Sequence, residues 1–176
     1  DVCSSDLLSS AVDVGESWTN GSGVGSAHVW RLNAANASAS VREAYLKAFR
    51  AASSQYFGRA VAVAANATHE VAAVGAPYSS TGPPYGNASA SLAMPYDVAV
   101  TGGGQYAEGD VWTYVHAVAG GAGTWRAAHR VKPPSGLDSE QFGRTLTAGV
   151  TADGAQFMLG IGTVMGCKAY VVTLPA

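Results

Sequence analysis

The sequence predicts an all-β fold, a fragment of a β-propeller built from four-stranded antiparallel blades. Three observations predict it. Phe57-Gly58-Arg59 recurs as Phe142-Gly143-Arg144, and this offset of 85 residues holds without a gap from Ser40–Pro77 to Trp125–Gly162. Short runs of β-branched and aromatic residues alternate with Gly-rich or polar turns, the pattern of strands. Each repeat holds four such runs, and radial repetition of four-stranded units is the signature of propeller blades.

Taken in order, residues 1–7 (DVCSSDL) resemble a translated sequencing adapter and are expected to pack against nothing. They lack the basic region and apolar core of a signal peptide. Residues 8–50 are expected to supply strands C and D of one blade. Strand C is carried by Gly25-Ser26-Ala27-His28-Val29-Trp30, which matches Gly109-Asp110-Val111-Trp112-Thr113-Tyr114. The next segment, Val41–Ala52, is rich in helix formers and taken alone favours a helix. Its counterpart Arg126–Leu137 contains Pro133-Pro134, which no helix interior tolerates, so register assigns strand D instead.

Residues 51–137 form one complete blade: strand A (Phe57–Ala64), strand B (Glu70–Ala76), a long insert (78–108), strand C (Val111–Val118) and strand D (Thr124–Val131). Residues 138–176 repeat strands A to C, the last on Cys167-Lys168-Ala169-Tyr170-Val171-Val172. Closure takes about four to eight blades, so these nine strands are part of a larger domain. In strand A, Val61 and Val63 alternate with Ala60, Ala62 and Ala64, giving a bulky and a small face that neighbouring sheets both cover. Phe57 and Phe142 are then inter-blade wedges, Gly75 permits close backbone approach, and Pro77 ends strand B.

Phe57-Gly58 leading into Gly75-Ala76-Pro77, an aromatic strand C and Trp125 opening strand D resemble the FG-GAP repeats of integrin α-subunit heads. The resemblance covers about residues 21–176. Two departures stand out: Gly160-Ile161-Gly162 replaces Gly-Ala-Pro in the last copy, and Ser40 stands opposite Trp125. The resemblance implies a propeller in which B-to-C loops face the ligand. In many such blades an Asp-rich A-to-B loop binds calcium, which takes six to eight oxygens. The turns here, Ala65–His69 and Thr151–Ala155, hold only Asp153, so no metal is expected and Asp153-Gly154 serves as a tight turn.

With 48% hydrophobic residues, 12% charged and a net charge of −2, the chain can bury a core but lacks the basic excess of a nucleic-acid binder. No apolar run reaches bilayer length. Asn20, Asn36, Asn66 and Asn87 all head N-glycosylation sequons in expected turns, which points to a secreted or cell-surface glycoprotein. Cys167 reads as a buried hydrophobe or half of a disulfide.

Searches for chemistry give little. Gly160-Ile161-Gly162 precedes a strand, unlike a dinucleotide loop, and Gly102-Gly103-Gly104 lacks the Lys-Ser/Thr of a phosphate loop. His28, His69, His116 and His129 lack metal-ligand spacing. No catalytic residue and no cofactor are therefore expected.

The insert carries Tyr78, Tyr85, Tyr96 and Tyr106 among Gly, Pro and Ser. These rigid amphipathic rings are the candidates for binding a protein or glycan, the alternative being a glycosylated surface loop without a partner. The expected function is adhesion or ligand binding by a non-catalytic extracellular propeller, the remaining blades being partners within the same chain. Alternatives are a propeller accessory to an enzyme with a separate catalytic domain, or a structural surface or cell-wall protein.

Overall fold

The computed structural model describes residues 6–11, 23–32, 39–48, 54–79, 97–98, 107–118, 124–133 and 139–175. Among them eleven strands and no α-helix form three sheets. The first sheet joins β1 (Asp6–Ala11), β2 (Ser26–Arg31) and β3 (Val41–Leu46). The second is an antiparallel meander of β4 (Ala60–Ala65), β5 (His69–Ala76), β7 (Asp110–Ala117) and β8 (Arg126–Val131). A two-residue strand from the insert, β6 (Asp97–Val98), pairs in parallel with the outer edge of β8. The third sheet joins β9 (Thr145–Val150), β10 (Gln156–Gly162) and β11 (Ala169–Pro175), again antiparallel.

Two sequence ambiguities resolve here. Val41–Leu46 is a strand, because pairing with β2 places Ala44 and Leu46 against a core that outweighs local helix propensity. Asp6 and Leu7 open β1, opposite Arg31 and Trp30, so the expectation that residues 1–7 stand apart fails for these two; β1 also adds a strand to the two expected over 8–50.

The third copy of strand C needs a correction of register. Val74 pairs with Trp112, and its repeat equivalent Leu159 pairs with Val172. Val172, not Tyr170, therefore stands where Trp112 does. The short 163–168 turn sets this register, with Thr163 N donating to Lys168 O at 3.0 Å, and a shift of two residues preserves which face each side chain takes. Cys167 lies exposed in that turn at φ 48°, which corrects its reading as a buried hydrophobe.

The second sheet is the middle layer of a three-layer stack, and β5 shows why its sequence lacks polar alternation. Ala72, Val74 and Ala76 pack into one cluster with Val29, Leu46, Phe57 and Trp112. Val71 and Ala73 point the other way, into a cluster with Phe142, Phe157, Leu159 and Ile161. With both faces buried, the run 71–76 carries no polar side chain. Strand β4 behaves alike: Val61 and Val63 pack on the first cluster and Ala64 on the second.

The sheets are joined by a device that recurs. Phe57 N donates to Val24 O at 3.1 Å and Tyr56 N to Gly23 O at 2.8 Å. One repeat later, Phe142 N donates to Glu108 O at 2.8 Å and Gln141 N to Ala107 O at 3.1 Å. Gly25 and Gly109 form parallel bridges to Phe57 and Phe142, with φ of 81° and 84°. The same irregularity also returns in strand C, between Val29 and Trp30 and again between Thr113 and Tyr114.

Tyr114 shows how the buried faces keep their polar atoms satisfied. Its hydroxyl donates to Lys47 O at 2.6 Å, tying the second sheet to the first. Burial, helped by the Asp110 carboxylate, pushes its pKa far up, so it remains a donor throughout the ordinary pH range.

Candidate functional site

The antiparallel meander separates two ends of the fold. At one end lie the β5–β7 connection and the turns that carry Phe57 and Phe142; at the other lie the β4–β5, β7–β8 and β9–β10 turns. Val118 N donates to Thr68 O at 2.8 Å, tying two turns of the latter end together.

The insert springs from a closed neck at the first end. Gly109 N donates to Ser79 O at 3.0 Å, and Ser79 Oγ donates to Asp110 Oδ2 at 2.8 Å. Asp110 is fully buried and also accepts from Trp112 Nε1 at 3.0 Å and Arg130 Nε at 2.7 Å. The Arg130 guanidinium lies 5.0 Å from the centre of the Trp112 ring. This charge-assisted cluster fixes both ends of the insert to one strand.

Of the expected ligand-binding residues, Tyr78 lies in this neck, half-buried. Its ring packs 5.1 Å from that of Tyr56, and its hydroxyl accepts from Arg144 Nη1 at 3.5 Å. Tyr78 thus bridges the second sheet and the turn leading into the third. Tyr85, Tyr96 and Tyr106 lie outside the described residues, as do Asn20, Asn36 and Asn87.

Asn66 occupies the β4–β5 turn. Its Oδ1 accepts from Thr68 N, Thr68 Oγ1 and His69 N at 2.7–3.0 Å, while its Nδ2 donates to Gly154 O at 3.0 Å. The amide nitrogen that a glycan would occupy therefore links the equivalent turns of neighbouring sheets. In the second of those turns the Thr151 hydroxyl, then the Ala155 N–H, hold the Asp153 carboxyl below the usual carboxylate range. Among the described residues no three His, Cys, Asp or Glu side chains gather as a metal site.

The repeat-motif residues lie where the sheets meet. Phe57 and Phe142 are fully buried, in the first and second clusters respectively. Gly58, Gly143, Ala76 and Pro77 are also buried. A Cβ on Gly75 would come within 2.1 Å of Gly143 O, and Gly160 lies in β10 opposite Thr147.

Sequence reasoning missed a second constellation, at the other end. Arg31 closes β2, Glu43 lies in β3, Glu70 in β5, His116 near the end of β7, and Trp125 just before β8. Arg31 Nη2 donates to both Glu70 oxygens at 3.2 and 2.9 Å, and Arg31 also pairs with Glu43. His116 Nδ1 lies 3.0 Å from Glu70 Oε2, and its ring stacks on Trp125 at 5.4 Å. Trp125 Nε1 donates to Glu43 Oε2 at 3.4 Å. The bonds cross from the first sheet to the second and line an open cleft of about 560 Å³. The available signal was Glu70, a carboxylate near the start of the otherwise apolar run of β5; its partners come from other strands and have no fixed spacing from it.

No helix of the described residues is long and apolar enough to cross a membrane. No protein-family model matches the chain, and no curated protein matches its sequence.

Proposed function

We propose that the chain is a fragment of a non-catalytic, extracellular FG-GAP propeller that captures a protein or glycan ligand in adhesion. The observation that carries this reading is the recurrence of one inter-sheet junction. Gly25–Phe57 and Gly109–Phe142 repeat the same bridge and the same positive-φ geometry. A sequence that joins successive sheets identically generates a radial or linear array, whose function lies in the loops it displays. The middle sheet, an antiparallel meander of β4, β5, β7 and β8, has the strand order of a blade. Its B-to-C connection is also much longer than that of the third sheet: Ser79 to Gly109 against Gly162 to Ala169. The sequons supply the extracellular part of the reading, and the tyrosines of the insert its binding surface.

The test is replacement of residues 80–106 by a short Gly-Ser turn in the full-length protein. The neck bonds of Ser79, Gly109 and Asp110 are kept. Ligand capture or cell adhesion should be lost while the denaturation midpoint stays within the range of surface changes. Undiminished capture by a folded variant overturns the assignment of binding to the insert.

A further inference from the structure

We propose that the cleft between the first and second sheets is a saccharide-binding site, in which Trp125 supplies an apolar platform and Glu43, Glu70 and His116 bind hydroxyls. This site lies at the end opposite the insert's neck and does not depend on the propeller reading.

The chemistry of the lining selects the ligand. A sugar ring presents a C–H face and a rim of hydroxyls, each both donor and acceptor. Trp125, half-buried at the edge of the cleft, offers the first the part of its ring that the His116 stack leaves uncovered, and that stack and the Glu43 bond fix its orientation. The rim meets carboxylate oxygens of Glu43 and Glu70 as acceptors. His116 lines the cleft with Nδ1 engaged by Glu70, so its other ring nitrogen is the one that would meet a hydroxyl. The Arg31 bridge holds both carboxylates in place before any ligand arrives, so little side-chain freedom is lost on binding. A volume of about 560 Å³ accommodates a small glycan and falls within the usual range of ligand sites.

Other ligand classes fit less well. Two carboxylates against one guanidinium disfavour phosphate, sulfate and nucleic acid. A metal ion would have to displace Arg31, whose guanidinium already bonds both carboxylates. A neutral polyol faces neither obstacle.

The experiment titrates the full-length protein with methyl glycosides of glucose, galactose, mannose and N-acetylglucosamine and with cellobiose and lactose, followed by saturation-transfer NMR. At least one should bind, and Trp125→Ala should weaken it about two- to tenfold, the scale of losing a ring contact. Glu43→Gln, a milder change at a partly exposed position, should weaken it too. Trp125→Phe should retain part of the affinity, and the variant shortened at 80–106 should retain all of it. That last result separates this site from binding at the insert. Absence of binding by the whole panel overturns the proposal. So does affinity unchanged in a folded Trp125→Ala protein, or an Arg-rich peptide that binds the cleft in place of every sugar.

Discussion

A Cβ placed on Gly109 would stand 2.2 Å from the carbonyl oxygen of Phe142, and one on Gly25 would stand 2.0 Å from that of Phe57. Both glycines also hold positive φ, so an alanine meets two obstacles together. Backbone strain of about 1–2 kcal/mol adds to an overpacking cost of about 1–3 kcal/mol. Gly109→Ala should thus destabilise the domain by about 2–5 kcal/mol in urea unfolding. Gly154 provides the control: its φ is 71° but a Cβ there meets nothing within 4 Å. Gly154→Ala should cost only the strain, about 1–2 kcal/mol. Equal losses at the two sites would mean that the sheets are not locked at Gly109.

Phe142→Ala should cost about 3–5 kcal/mol, as for other buried aromatics. The ring is fully buried between the second and third sheets, edge-on to Tyr170 at 5.5 Å, so its truncation removes contacts with both sheets. Chemical denaturation of the intact protein measures this directly. A loss below about 1 kcal/mol, typical of exposed positions, would contradict the packing described.

How much of this was legible in the sequence depends on whether the repeat carried it. Strands β4, β5, β7 and β8 fall within three residues of their expected starts, because periodic small and β-branched residues bounded by glycine mark them in the chain itself. The register of β11 was misread because Tyr170 resembles Trp112 in type, whereas the turn at 163–168 decides the pairing. β6 was not foreseen: two residues inside an insert carry no periodicity, and their pairing with β8 is a tertiary event. The cleft was invisible for the same reason. Arg31, Glu43, Glu70, His116 and Trp125 come from five strands or their margins, and none of their mutual contacts leaves a spacing to read.

His129 makes stability depend on pH. It is only 8% exposed in β8, and burial holds its pKa below the ordinary value of 6.5. The unfolded chain therefore binds a proton at a pH where the folded chain does not. Stability from this group is full above about pH 6.5 and is lost as pH falls toward the lowered folded value. His129→Gln should flatten the fall in denaturation midpoint between about pH 7 and 5. Parallel pH profiles for the two proteins would show that His129 does not titrate against folding.

Two ion pairs in this structure should differ sharply in what they contribute. Asp110 has no exposed side-chain surface and Arg130 only 15%, while Arg31 is 37% exposed beside a Glu70 that is 7% exposed. Arg130→Met leaves a carboxylate in the core with only Ser79 and Trp112 as donors, a loss of about 3–5 kcal/mol. Arg31→Met leaves Glu70 with His116 and nearer to water, so the loss should be about 1–2 kcal/mol. Adding Asp110→Asn to Arg130→Met removes the stranded charge and should restore part of the stability, since the amide oxygen still accepts from one donor. Urea unfolding of the three variants checks the order. If Arg31→Met proved the costlier single change, the neck of the insert would not rest on the Asp110 charge, and the cleft would be the principal tie between the first two sheets.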